Sequence, residues 1–316
     1  SDSSAQDIAK GIIDAKIDAV SAITDTFATE SNITQTALTN AEAAYNDAVA
    51  EYDLNKAVLS SENQAELEAE LNTLNYAIKK AKVLYWIIDY ENRIEAINVN
   101  SSTALQDIAS VNQFRDDFEG SDVENLLNAL SNDDKAALEN RIEQADEEIA
   151  QKEADANDIA AANEVIDLID DLPETIILDD EDDVAAARTA YDNLTADQKE
   201  LVTNLNKLTA AEAAIANLRA VGEVINLIDD LPETITLDDE EDVTAARTAY
   251  DNLTADQKEL VTNLSKLTAA EAAIEKLHDD TEAANEVIAL INDLPANIDL
   301  KDKDAVQAAR AAYNNL

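Results

Sequence analysis

The chain of 316 residues has no cysteine and no methionine, and it contains only three glycines and three prolines. Because cysteine is absent, disulfide bonds and thiolate chemistry are excluded. Glycine and proline interrupt helices, and ordinary proteins contain roughly 7 % and 5 % of them. A chain with so few interruptions is predicted to be all-α.

Positive charge and long apolar runs are also scarce. The chain has 22 basic and 69 acidic residues, which gives a net charge of −47. Nucleic-acid binding requires a basic patch, so we expect no nucleic-acid partner. The longest apolar run, residues 83–88, has six residues, whereas a membrane-spanning helix needs about 20. We therefore expect no membrane insertion.

The sequence does contain an internal repeat. Residues 190–199 return unchanged 59 positions later as residues 249–258. A looser third copy opens near Leu294 and includes Tyr313. Near-identical tandem copies are typical of proteins in which each copy is one structural unit stacked on the next. Catalysis usually needs one asymmetric site, so the repeat favours an extended scaffold over an enzyme.

The repeat and the helical spacing of apolar residues predict five segments. They are an N-terminal three-helix bundle (1–100), a divergent repeat (101–163), two clear helical repeats (164–222 and 223–285) and an incomplete repeat (286–316). The incomplete repeat lacks the helices that would close its core. We expect either further chain after Leu316 or another subunit to supply that packing.

The connections between the repeats are predicted to be helical. The apolar stripes are separated by 9 residues from Ile215 to Val224 and by 13 residues from Ile274 to Val287. The difference corresponds to about one turn of α-helix, which returns the stripe to the same face. The predicted fold class is thus an all-α chain of tandem three-helix modules, joined by continuous helices into an elongated rod.

Helix starts are predicted from capping signals. Thr195-x-x-Gln198 and Thr209-x-x-Glu212 have the form of capping boxes, and both recur one repeat later, at Thr254 and Thr268. The first box is predicted to open a short helix and the second a long one. Further caps are predicted at the aligned residues Asp180, Asp239 and Asp302, because aspartate accepts a hydrogen bond from a free backbone N–H at a helix start.

The acidic runs allow two interpretations. Their aspartates are the candidate calcium ligands Asp179, Asp180, Asp182, Asp183, Asp238, Asp239 and Asp242. Calcium, if any, is the only cofactor that the sequence suggests. The runs lack the glycine turn of an EF-hand, however, and in the third copy only Asp302 and Asp304 persist. Helix capping needs one aspartate per copy, whereas an ion needs its whole ligand set, so capping is favoured and calcium stays open.

No arrangement typical of an enzyme is present. The only histidine, His278, has no partner set for a zinc site or a catalytic triad. There is no phosphate-binding glycine loop and no G-x-S-x-G motif. We predict that the protein is not an enzyme.

One segment, residues 79–93, breaks the acidic pattern with basic and aromatic side chains. The candidate polymer-binding residues are Lys79, Lys80, Lys82, Tyr85, Trp86, Tyr90 and Arg93. Cations beside aromatic faces suit an anionic carbohydrate. The other interpretation is a bundle helix with an aromatic core face and a basic outer face, which the spacing also fits.

Residues 190–204 and 249–263 share the pattern Ala-Tyr-x-x-Leu-Thr-x-x-Gln-Lys-x-Leu-Val-x-Asn. In this pattern the chain resembles the small helical repeats of secreted surface proteins of Gram-positive bacteria, including S-layer proteins and wall-associated adhesins. The resemblance implies an extracellular protein at the cell surface. It also implies that residues 1–100 bind cell-wall polysaccharide.

Two functional hypotheses follow. The first is a structural surface protein, an S-layer-like assembly subunit or its helical spacer region, whose partners are other copies of the same protein. The alternative is an adhesin stalk whose N-terminal bundle binds a cell-wall polymer or another glycan. Ser1 suits either hypothesis, because a secreted chain processed by a signal peptidase begins without methionine.

Overall fold

The computed structural model describes residues 3–316, and the prediction of an all-α chain is confirmed for them, since they form thirteen α-helices and no strand. The helices are α1 (Ser3–Thr24), α2 (Gln35–Asn55), α3 (Ser61–Glu95), α4 (Ala104–Asp116), α5 (Asp122–Asn128), α6 (Asn132–Asp170), α7 (Glu181–Asn193), α8 (Ala196–Leu201), α9 (Leu205–Asp229), α10 (Glu240–Asp251), α11 (Ala255–Glu259), α12 (Leu264–Asn292) and α13 (Lys303–Asn314). Short 3-10 turns, Leu178–Asp180, Leu237–Asp239 and Leu300–Asp302, precede α7, α10 and α13.

The helices divide into two compact units, the first ending at Ala161 and the second comprising Ala162–Leu316. In the first unit, α1, α2 and the first half of α3 enclose one core, in which Ile13, Val20 and Leu67 are fully buried. The second half of α3 packs against α4, α5 and α6 around Ile87 and Ile94. One long helix therefore belongs to two successive bundles.

The second unit contains two modules with equivalent cores. In the first, Ile169 of α6 and Val184 of α7 pack against Leu208 of α9. In the next, Ile228 of α9 and Val243 of α10 pack with the first half of α12. The first half of α9 closes one core and its second half opens the next. The helix runs unbroken from Leu205 to Asp229, as the spacing of its apolar stripe predicts.

The capping predictions are confirmed at the short helices and wrong at the long ones. Thr195 and Thr254 cap α8 and α11 and form complete capping boxes with Gln198 and Gln257. The long helix α9 begins at Leu205, four residues before Thr209. The hydroxyl of Thr209 donates to the carbonyl of Leu205, a bond made inside a helix and not at its start.

Candidate functional site

The aligned aspartates Asp180 and Asp239 lie at helix starts, but their side chains do not cap α7 and α10 as predicted. The carboxylate of Asp180 instead accepts a hydrogen bond of 2.8 Å from the backbone N–H of Ile177. Asp239 accepts equivalent bonds from the N–H and the hydroxyl of Thr236. Each aspartate thus closes the 3-10 turn that precedes its helix, by reaching backwards along the chain.

The other calcium candidates lie in or beside the first turns of α7 and α10. They are Asp179, Asp182 and Asp183 in one copy and Asp238 and Asp242 in the next. Acidic side chains there stabilise a helix through its dipole. Within residues 3–316, no three carboxylates or imidazoles are gathered closely enough to hold a metal ion. The seven candidates therefore lie at helix starts, and calcium binding by them stays a prediction.

The cations of the basic and aromatic segment lie along α3, and three of them are ion-paired. Lys80 donates to Asp134 at 2.7 Å, Lys82 pairs with Glu42, and Arg93 pairs with Asp89 at 3.1 Å. These contacts point to different neighbours, so the positive charges do not form one patch. Lys79 is half-buried on the same helix.

The aromatic residues of this segment form core contacts. The Trp86 ring lies 4.2 Å from the Phe118 ring and 5.3 Å from the Phe114 ring, measured between centroids. Tyr90 is fully buried beside them, and Tyr85 packs on a separate small cluster that includes Leu38. The buried ring of Tyr90 cannot stack on a sugar, whereas the rings of Tyr85 and Trp86 are only partly buried. The structure brings Trp86 and Tyr90 together, but as part of a core.

The hydroxyl of Tyr90 belongs to a half-buried polar network. It donates a hydrogen bond of 2.8 Å to the carboxylate of Asp146. The same carboxylate accepts a hydrogen bond of 2.9 Å from the guanidinium of Arg115. Burial, together with the hydrogen bond to Asp146, raises the pKa of Tyr90 above its ordinary value. The network joins α3, α4 and α6, so its role is to hold one core together.

Each repeat module has an arginine clamp that the sequence analysis did not identify. The guanidinium of Arg188 donates two bonds, 2.6 and 2.7 Å long, to Glu212 on the next long helix. Arg247 makes the same pair with Glu271, at 2.5 and 2.6 Å. These bonds hold the pKa of each glutamate below its ordinary value. The sequence does contain a signal for this clamp, because Arg188 and Glu212 both recur 59 positions later, as Arg247 and Glu271.

A second recurring contact fixes the start of each long helix. In the later module, the side-chain amide of Asn263 donates to the carbonyl of Ile225 and to the carboxylate of Asp229, each at 2.9 Å. Lys266 donates to the carbonyl of Asp229 at 2.8 Å. Since carbonyls at a helix end lack partners within the helix, these bonds tie the end of α9 to the start of α12.

The only histidine has a partner that sequence reasoning missed. The imidazole Nε2 of His278 lies 3.1 Å from the carboxylate of Glu240, a pair that is ionic only when the histidine is protonated. In the preceding module the same two positions hold Arg219 and Glu181, which form an ion pair. The position therefore carries Arg219 in one module and His278 in the next, each facing a glutamate at the start of the module's second helix.

The chain matches no known protein family, no curated protein and no solved structure. Among residues 3–316, none of the helices is both long and apolar enough to cross a membrane.

Proposed function

We propose that this chain is a structural protein of a cell surface, an S-layer-like assembly subunit or the helical spacer region of one. The observation that carries the proposal is α9, which closes one module with its first half and opens the next with its second half. The arginine clamp and the asparagine contact recur in both modules. A helix shared in this way leaves no flexible linker between the two cores.

The proposed mechanism is mechanical, because the modules hold whatever they connect at a set spacing and orientation. No reaction is required of them. Successive cores meet along one continuous helix, so bending the connection requires breaking helical hydrogen bonds. Gly222 is the weakest point, since glycine costs a helix roughly 1 kcal/mol relative to alanine.

The proposed location is extracellular, and the proposed partners are other copies of the same protein. This part rests on the resemblance of residues 190–204 and 249–263 to repeats of Gram-positive surface proteins. The net charge of −47 also suits it, because strong like charge keeps subunits apart until an ordered contact or a cation overcomes the repulsion.

Electron microscopy of the purified full chain, with and without added calcium, tests assembly. We expect ordered sheets or filaments. Dispersed particles under both conditions would count against an assembly subunit and leave only the spacer role. Assembly that appears only with calcium would return the acidic turns to consideration as ion sites between subunits.

The spacer role has its own test. Because the sequence has no cysteine, a thiol-reactive label attaches only to cysteines that are introduced. Spin labels on Thr189→Cys and Thr248→Cys, two exposed and equivalent positions on α7 and α10, report the distance between the modules. We expect a narrow distance distribution in electron-electron double resonance. A matched variant with a Gly-Ser insertion after Gly222 should broaden it. A distribution already broad without the insertion would contradict the proposal.

The alternative function, an adhesin stalk that binds a wall polymer through α3, has less support. Lys80, Lys82 and Arg93 are already paired with carboxylates, and Tyr90 is buried. A pull-down with purified wall polysaccharide tests it directly. Binding that is lost in Lys79→Ala, with folding intact, would revive this alternative.

A further inference from the structure

The segment between α1 and α2, residues 25–33, lies on the surface of the first unit and is packed only lightly. Seven of its nine residues are exposed, and Ile33 is its one buried residue. Its backbone forms two 3-10 turns, Asp25–Ala28 and Glu30–Asn32. Turns of this kind have poor hydrogen-bond geometry and depend on other contacts for their stability. We call residues 25–33 the strap.

Two apolar side chains anchor the strap to the helices beneath it. Ile33 packs with Ala81 of α3 in a small cluster that has only three buried members. Phe27 packs against the same cluster, next to the partly buried ring of Tyr85, and against the edge of the neighbouring core. Because so little apolar surface is buried, this cluster holds the strap less firmly than the larger cores hold their helices.

The backbone hydrogen bonds that close the strap are local. The N–H of Thr29 donates to the carbonyl of Thr26 at 3.1 Å, and the N–H of Ile33 donates to the carbonyl of Glu30 at 2.9 Å. Bonds of this kind shape the strap but do not tie it to α3 or α6. Segments with few buried contacts and an exposed backbone open locally at a lower free energy than the core.

A single arginine of α6 ties the strap to the rest of the unit. The guanidinium of Arg141 donates two hydrogen bonds to the carboxylate of Glu30, 2.5 and 3.0 Å long. It donates two more, 2.5 and 2.6 Å long, to the carboxylate of Glu91 on α3. One guanidinium can bind two carboxylates in this way because its N–H groups form a planar fork. Within residues 3–316, Glu30 is the only strap residue that makes an ion pair.

The charges around Arg141 decide what happens when this contact is lost. Glu30 and Glu91 are held by the same guanidinium, so their carboxylates lie close to one another. The bonds from Arg141 hold the pKa of Glu30 below its ordinary value. Without the arginine, two negative charges would face each other, and like charges at short range repel. Loss of Arg141 would therefore both release the strap and push it away from α3.

We propose that the strap is a latched cover over α3, and that it opens as a unit when the contact between Glu30 and Arg141 is broken. Opening leaves α1, α2 and α3 packed together, because Phe27 touches their core only at its edge. It uncovers the ring of Tyr85, one of the candidate polymer-binding residues. The closed strap is thus an inhibitory contact over that part of α3.

Hydrogen exchange of the full chain, followed by mass spectrometry of its peptides, tests the proposal. In Arg141→Ala we expect the amides of residues 25–33 to exchange roughly tenfold faster, the size expected when charge-assisted hydrogen bonds are lost. Adding Glu91→Gln should return the rate part of the way, because it removes the repulsion. Arg219→Ala, which breaks an arginine–glutamate pair in the second unit, is the matched control and should leave the strap unchanged.

Unchanged exchange of the strap in Arg141→Ala would overturn the proposal, because the apolar anchors alone would then hold it. Equal acceleration in peptides from α1 and α2 would also overturn it, since the whole bundle would be unfolding. Nitration of Tyr85 by tetranitromethane is a second readout and should be faster in Arg141→Ala, with Tyr191 of the second unit as the internal reference. An unchanged rate at Tyr85 would show that the strap does not cover this ring.

This test is separate from the test of the structural role. The strap and its latch lie within the first unit, whereas the modules joined by α9 lie in the second. Broad spin-label distances between the two complete modules would contradict the spacer function and leave the exchange result standing. Unchanged exchange of the strap with narrow distances would contradict only the inference about the latch.

Discussion

The core around Trp86 and the cores of the two repeat modules are built on the same plan but filled differently. Around Trp86, four aromatic rings pack together, and the centroids of Trp86 and Phe118 are 4.2 Å apart. The repeat cores consist of valine, isoleucine, leucine and alanine, with Tyr191 and Tyr250 only at their edges. Both regions take their first helix from the preceding bundle.

The polar contact that closes the core is common to both regions. Arg115 of α4 pairs with Asp146 of α6 at 2.9 Å, much as Arg188 of α7 pairs with Glu212 of α9 at 2.6 Å. In each bundle an arginine on the second helix thus reaches an acid on the last helix. The comparison teaches that the shared helix and this clamp recur, whereas the side chains that fill the core are free to vary. Four substitutions test it, beginning with the largest expected effect.

The largest effect is expected at the aromatic core. Trp86→Ala should lower the free energy of unfolding of the first unit by about 4 kcal/mol, because it removes the ring that contacts three others. Urea unfolding followed by circular dichroism measures the loss. Trp86→Phe, which keeps a ring in the stack, is the control and should cost much less. An unchanged unfolding midpoint in the alanine variant would show that Trp86 is a surface residue in solution.

A smaller loss is expected in the aliphatic cores. Ile228→Ala should cost about 3 kcal/mol, because this side chain is fully buried in the second unit. Its neighbour Leu227 is 40 % exposed, so Leu227→Ala is the control and should cost under about 1 kcal/mol. Trp86 is the only tryptophan, so its fluorescence follows the first unit and should not register Ile228→Ala. Equal losses at both sites would contradict the described packing of α9.

The arginine clamp is expected to contribute about 1 kcal/mol, because the pair is bidentate but only partly buried. Arg247→Ala should remove this contribution at neutral pH. The folded-state pKa of Glu271 lies below its ordinary value of 4.5. The stabilisation is therefore present above that value and is lost as the pH falls through the folded pKa.

The clamp prediction is measured as the difference in unfolding free energy between the native chain and Arg247→Ala at pH 7 and at pH 3. We expect the difference to shrink at pH 3. A double-mutant cycle with Glu271→Gln separates the pair from other effects of removing the arginine. A coupling energy of zero at both pH values would show that the clamp is not formed in solution.

The smallest effect is expected at the cap of α11. Thr254→Ala removes the acceptor for the N–H of Gln257 and should cost about 1 kcal/mol or less. Thr248→Ala is the matched control, because the Thr248 hydroxyl bonds back to the carbonyl of Thr244 inside α10, where alanine is the better helix former. We expect this control to be neutral or slightly stabilising. A larger loss in the control than at Thr254 would contradict the helix boundaries.

Sequence reasoning succeeded where the signal was local. The all-α class follows from the scarcity of glycine and proline, and the caps at Thr195 and Thr254 follow from residues three positions apart. Thr209-x-x-Glu212 shows the limit of such reasoning. The motif fits a capping box, but Glu212 pairs with Arg188 of α7. Asn204 donates a hydrogen bond to α6 and so fixes the earlier start of α9.

The candidate sites were harder to judge from the sequence. The basic and aromatic residues of α3 follow one another in the chain, but a helix turns by about 100° per residue and sends them to different neighbours. Whether Lys80 or Arg93 is available to a ligand depends on Asp134 and Asp89, and no spacing rule predicts the first of these pairs.

The amino-acid sequence by itself determined that the protein is helical, acidic and repetitive, because composition and local spacing control helix formation and net charge. The tertiary structure alone decided which charges are paired and where the long helices begin. These features depend on contacts between helices some 20 to 60 residues apart in the chain. Such contacts become visible only when the helices are packed together.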